Sequence, residues 1–247
     1  MNHPSGLPEE PDPFPAIEKI TELFDGDIAA LIPPQSRAAT VAYGLCMNLI
    51  YQAGAVLVLD EKGLHLGAAP IRRSMIEFLV RLLWLADSAE PAVDALNHDL
   101  QAILGRLAQA AKRADVDIPP EVIAKSDATR QTHLPPASER NLLQTKHVTD
   151  AYGLNQQYVW WLSETQTAHP SLIAVQLFVE QTAEATVLHH EPQYVKEVPA
   201  KHLCLSILFQ AALAMNELLI GRPWTELLRS IGEEFSFSLD LPKPASS

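Results

Sequence analysis

Cysteine is nearly absent, with two in 247 residues. Cys46 and Cys204 lie far apart inside apolar stretches, and no further cysteine completes a metal-spaced or disulfide-spaced motif. This excludes a disulfide framework and fits buried thiols in a reducing, cytoplasmic compartment. Basic charge is scarce too: 18 Lys and Arg stand against 30 Asp and Glu, a net charge of −12. The longest basic runs are the pairs Arg72-Arg73 and Lys112-Arg113, so the stripe that neutralises phosphates in nucleic-acid binders is missing. Nucleic acid is a disfavoured partner on that ground. Nucleotide loops of the Gly-x-Gly-x-x-Gly or Gly-x4-Gly-Lys type are lacking, as are Gly-x-Ser-x-Gly, His-Glu-x-x-His and Glu-x-x-His. No cofactor and no metal is therefore expected. The one dense ligand cluster, His189-His190-Glu191, precedes Pro192 and reads as a solvated helix end.

Aromatic residues make up 6% of the chain and hydrophobic residues 47%, so the apolar content is mainly aliphatic. A chain of 27.2 kDa buries roughly 70% of its unfolded surface, enough for one domain without staples. Residues 38–59 carry no charge and are long enough to span a bilayer. Asn48 and Gln52, one turn apart near the middle, would be unpaired in lipid, whereas a bundle can bond them; a core helix and no membrane are expected. The first 14 residues have acids and prolines in place of the basic and apolar regions of a signal peptide, and read as an extended tail.

Apolar residues recur at three and four positions while strict alternation is rare, which predicts an all-α, single-domain bundle of about eight or nine helices. The expected helices run over 15–31, 36–59, 70–87, 90–114, 138–152, 155–168, 170–190, 199–220 and 223–236. The domain spans 15–238, with a Pro-interrupted segment at 115–137 expected as a mobile insertion and a second tail at 239–247. Residues 56–66 read as a helix end and a loop in preference to a short hairpin.

Candidate chemistry gathers on two helices. In 70–87, apolar residues cover most of the circumference, and Arg73, Glu77 and Arg81 run through the gap at four-residue spacing. Glu77 at that spacing can bridge both guanidiniums, as a structural ladder or as the wall of an anion-binding or acid/base pocket. In 158–172, Trp161, Thr165 and His169 follow at the same interval, and Pro170 places His169 at a helix break, where it can cap or transfer protons. The run GLHLGAAPIRRSMIEFLVRLLWL resembles the Arg-Ser-x-x-Glu helix of an uncharacterised bacterial helical family, domain of unknown function 5677. The segment AYGLNQQYVWWLSETQTAHPSL resembles that family's second signature, with Thr165 at its hydroxyl position. The resemblance implies an all-helical fold that brings Arg73, Glu77 and His169 together, with no established activity. On this reading Arg73, Arg81 and Thr165 bind a small anionic ligand, Glu77 orients the two arginines and His169 contributes a donor or base, which makes Glu77 and His169 the candidate catalytic residues.

Two other classes remain open. Arg140-Asn141 followed by His147 resembles the Arg-Asn-x5-His motif of HEPN-type ribonucleases of toxin or phage-defence systems. There the arginine would hold the scissile phosphate and the histidine would shuttle a proton, without metal. Alternatively, the apolar helices 36–59 and 199–220 form a dimer seam, and the protein is a homodimeric scaffold.

Overall fold

The computed structural model describes residues 11–117, 119, 135–193 and 199–244. Most of the expected 1–14 tail and 115–137 insertion lies outside them. The described residues form ten α-helices, a 3-10 turn at Ile28–Leu31 and one two-stranded hairpin around a single core. In chain order these are α1 Phe14–Glu22, α2 Arg37–Glu61, α3 His65–Ser88, α4 Glu90–Ala114, α5 Ala137–Asn141, α6 Thr145–Ala151, α7 Asn155–Ala168, α8 Leu172–Gln176, β1 Val179–Gln181, β2 Thr186–Leu188, α9 Ala200–Leu218 and α10 Thr225–Phe235. The fold is all-α and forms one domain.

α2 starts where the Ser36 hydroxyl accepts the Ala39 amide at 3.0 Å. Glu90, from the first turn of α4, accepts the Ala38 amide at 3.2 Å and the Arg37 Nε at 2.6 Å. One carboxylate thus satisfies an orphan helix-end donor and ties α4 to α2. The three-residue link at 62–64, with Gly63 at φ +71°, folds α3 back on α2. α9 is the centre of the core: it packs on α1, α2, α3 and α10 and buries residues around most of its circumference, among them Leu203, Cys204, Ile207, Leu208, Ala211 and Met215. Small side chains on the facing helices let them approach closely, so that the Cys46 thiol donates to the Ala211 carbonyl at 3.8 Å. Both thiols are buried. Burial pushes the Cys204 thiol up to about 12, only partly countered by the positive charge of Arg72, and pushes Cys46 up as well. Neither is a reactive thiolate. Asn216 closes the α9–α10 corner by accepting the Trp224 amide at 3.0 Å and donating to the Thr225 hydroxyl at 3.1 Å.

Several sequence expectations change. The 15–31 helix stops at Glu22, because Asp25-Gly26-Asp27 favours a turn and Asp27 caps the 3-10 segment through the Ala30 amide at 3.4 Å. Helix 138–152 is two helices, broken where Leu142 and Leu143 turn onto the core. Helix 170–190 is only α8. Beyond it, β-branched residues in both arms and the Thr182 hydroxyl, accepting the Ala185 amide at 3.0 Å, make a hairpin pairing Val179 with Leu188. α3 begins at His65, five residues before the expected start, and carries Pro70 inside it. Residues 239–244 are not simply a tail, since Leu241 packs on the core.

The apolar helices also separate. α9 is too enclosed to be a dimer seam. α2 buries one face but shows Met47, Tyr51 and Val58 on the other, with Tyr51 83% exposed. Asn48 lies on that open face and donates to its own helix at Gly44, whereas Gln52 has a buried Oε1 with no donor among the described residues. The expectation that neighbouring helices bond both amides is therefore not met. Among the described residues α2 is the one helix long and apolar enough to cross a membrane.

Candidate functional site

α3 and α7 pack side by side and bring charged residues from each into two adjacent layers. The inner layer was not foreseen. Arg72 is 6% exposed, and its Nε and Nη2 donate to the two carboxylate oxygens of Glu164 at 2.7 and 2.8 Å. Its Nη1 donates to the carbonyl of His65, the first residue of α3, at 3.0 Å. His65 in turn sits 2.8 Å from Asp60. A guanidinium so buried requires this bidentate geometry to offset lost hydration. A signal for Arg72 was present, because it lies on the same line of α3 as Ala69, Ile76 and Leu79, all buried.

The outer layer holds the predicted residues. Arg73 Nη2 lies 3.0 Å from Glu77 Oε1, one turn on. The Trp161 indole N–H donates to that same oxygen at 2.8 Å, and the Arg73 guanidinium carbon stands 5.4 Å from the Trp161 ring centre. Tyr158 stacks on Trp161 at 5.8 Å with planes 14° apart. Arg73 Nη1 is 3.2 Å from His169 Nε2, 96 residues away in sequence. His169 caps α7 in an extended conformation, φ −104° and ψ 157°, as expected before a proline. Arginine is always a donor, so His169 Nε2 is the acceptor in this contact. The Arg73 Nε is buried with no acceptor among the described residues. Arg73, Glu77, Trp161 and His169 thus form one network that is half-buried and open to solvent at His169.

Two expected members stand apart from it. The Thr165 hydroxyl donates to the Trp161 carbonyl at 2.6 Å and is spent on its own helix. Arg81 is half-buried and makes no ion pair with Glu77; the ladder has one rung among the described residues, between Arg73 and Glu77. For the ribonuclease motif, Arg140 ends α5 and His147 lies in α6, with a turn at 142–144 between them. His147 Nδ1 is 3.0 Å from the Asn141 carbonyl, and Arg140 Nε is buried without an acceptor among the described residues. The two residues therefore sit on separate helices and not on the one helix expected over 138–152. Among the described residues no group of three or more His, Cys, Asp or Glu side chains suits a metal ion. Comparison with protein-family models, with curated proteins and with solved structures finds no match.

Proposed function

We propose that the protein binds a small oxyanion, phosphate or carboxylate in kind, at Arg73 and His169. The observation carrying this reading is the 3.2 Å approach of Arg73 Nη1 to His169 Nε2 at an accessible edge. Glu77 and Trp161 hold the guanidinium plane from the opposite side, so the donor is oriented before any ligand arrives. An anion entering here takes the Arg73 Nη1 donor in place of His169 Nε2. Glu77 orients; it does not touch the ligand. The resemblance to domain of unknown function 5677 supports the same grouping, and two buried thiols suit a cytoplasmic setting.

Titration calorimetry with inorganic phosphate tests this. Wild-type protein should give a saturable heat of binding, and Arg73→Gln should abolish the signal. Glu77→Gln should weaken binding while the protein still melts cooperatively. Equal heats from wild type and Arg73→Gln would sink the proposal.

A homodimeric scaffold is the second reading, now carried by the open α2 face with Met47, Tyr51 and Val58. A single monomeric mass by light scattering across micromolar concentrations would remove it. The ribonuclease alternative predicts RNA cleavage that His147→Ala abolishes; equal cleavage by both proteins counts against it.

A further inference from the structure

A cleft of about 570 Å³ opens between α7, α9 and the end of α10, on a different face of α7 from Trp161 and Arg73. Its walls include Trp160, Phe235 and Phe237, together with Ser206, His202 and the Glu234 carboxylate. No lysine or arginine is among its described lining residues. The volume falls in the range of small-molecule sites, and a mostly apolar wall with a few polar groups is their usual composition. Its shape follows from the chain. Ser236, at φ +56°, ends α10 in the left-handed conformation, and the Phe237 amide donates to the Gly232 carbonyl at 2.9 Å. That turn folds the segment back so that Phe237 lies 5.0 Å from Phe209 and 5.9 Å from Phe235. A Cβ at Gly232 would stand 3.2 Å from the Phe237 carbonyl, so the returning segment passes close to α10 there.

We infer that this cleft binds an organic cation, an aryl-alkyl or alkyl ammonium, with its apolar body on Trp160, Phe235 and Phe237 and its charge beside Glu234. Three observations agree on the sign. Aromatic faces attract cations through their quadrupole. The one formal charge on the described wall is negative, and the whole chain carries −12, which concentrates cations at its surface. The same chemistry operates beside the lining residues Pro11 and His202 in the chain, where the Lys201 ammonium stands 5.8 Å from the Phe14 ring centre and 3.4 Å from Asp12. Ser206 and His202 supply the polar side of the wall. This site is separate from Arg73 and selects the opposite charge.

The test titrates the full chain with phenethylammonium, the neutral phenethyl alcohol and phenylacetate, following ligand signals by NMR. Phenethylammonium should bind at least about tenfold more tightly than the alcohol, the scale of a partly desolvated cation–π contact joined to a carboxylate, and phenylacetate should not bind. Glu234→Gln, at an exposed position, should bring the ammonium down to the affinity of the alcohol, and Trp160→Ala should remove both. Glu226→Gln, an exposed acid at the other end of α10, should change nothing, which separates the site from the general field. Equal affinity for ammonium and alcohol, an unchanged Glu234→Gln, or binding that survives Trp160→Ala in a protein that still melts cooperatively would each overturn the inference. So would no detectable phenethylammonium binding.

Discussion

Arg72 and Arg73 are consecutive on one helix, and a rotation of one residue gives them different fates. Arg72 turns inward, is 6% exposed, and spends its guanidinium on Glu164 and the His65 carbonyl. Arg73 turns toward the edge, keeps 29% of its side chain exposed, and meets Glu77, Trp161 and His169. Both pair with a glutamate. Only the first is committed through all three nitrogens; the second leaves its Nε without an acceptor among the described residues. A buried pair gives little net stability over an apolar one but becomes costly when halved, whereas a half-exposed pair can be broken at small cost. Arg72 therefore belongs to the packing of α3 on α7, and Arg73 is the arginine left over for a ligand.

The largest expected effect comes from splitting the inner pair. Glu164→Gln leaves a buried guanidinium charge uncompensated and should cost about 3–5 kcal/mol in urea unfolding. The double change Arg72→Met with Glu164→Leu removes both charges and should recover most of that loss. If Glu164→Gln costs no more than Glu77→Gln, the distinction between the two layers is wrong.

Alkaline pH probes the same inner layer through its neighbour. The Cys204 thiol lies above its ordinary value of 9, at about 12, because burial disfavours the thiolate. The folded state then holds a proton that the unfolded chain releases, so stability is full below pH 9 and falls as pH rises from 9 toward 12. By pH 10.5 the Cys204 share of the loss should be about 2 kcal/mol; Cys46, raised by burial from the same ordinary value, adds its own share, so Cys204→Ala should make that part of the curve shallower without flattening it. Arg73→Gln should leave the slope unchanged, since Arg72, not Arg73, is the arginine whose charge acts on this thiol.

How much of this was legible depends on where the deciding partner lies. The long helices α2, α4, α7 and α9 follow from apolar period, since their buried faces repeat within the segment itself. Arg73 and Glu77 were visible as neighbours one turn apart, and Pro170 announced the break that presents His169. Arg72 was hidden by the attention that a regular charged row draws, although its place on the apolar line of α3 marked it as buried. Glu164 carried no local sign at all: it sits in the polar run Ser163–Thr167, and a partner 92 residues away decides its burial. The hairpin was missed for a related reason, because Thr182 and the β-branched arms act through a turn and a pairing that a helical period does not weigh. The cleft at Trp160 and Phe237 depends on a chain reversal at Ser236 in a non-glycine left-handed conformation, which composition does not announce.

Trp161→Phe sharpens the outer layer. It keeps an aromatic face for Arg73 but deletes the indole N–H that reaches Glu77. The expected cost is about 1 kcal/mol, the usual net value of one hydrogen bond, with phosphate affinity reduced because Glu77 and the guanidinium are less well held.

Arg73→Gln completes the series and should have the smallest effect on folding, below about 1 kcal/mol, since a partly exposed ion pair contributes little. Its effect on ligand should be the greatest of all. The two readouts pull apart only if Arg73 serves a ligand: a helix-register lock would lose stability and have no binding to lose. Arg73→Lys gives the finer discrimination, because lysine keeps the charge but not the planar fork that touches Glu77 with one nitrogen and His169 with another. Phosphate binding that Lys fails to restore, in a protein as stable as wild type, would mean that the site reads guanidinium geometry. Full restoration by Lys would mean that it reads charge alone, and the contact with His169 would then be incidental.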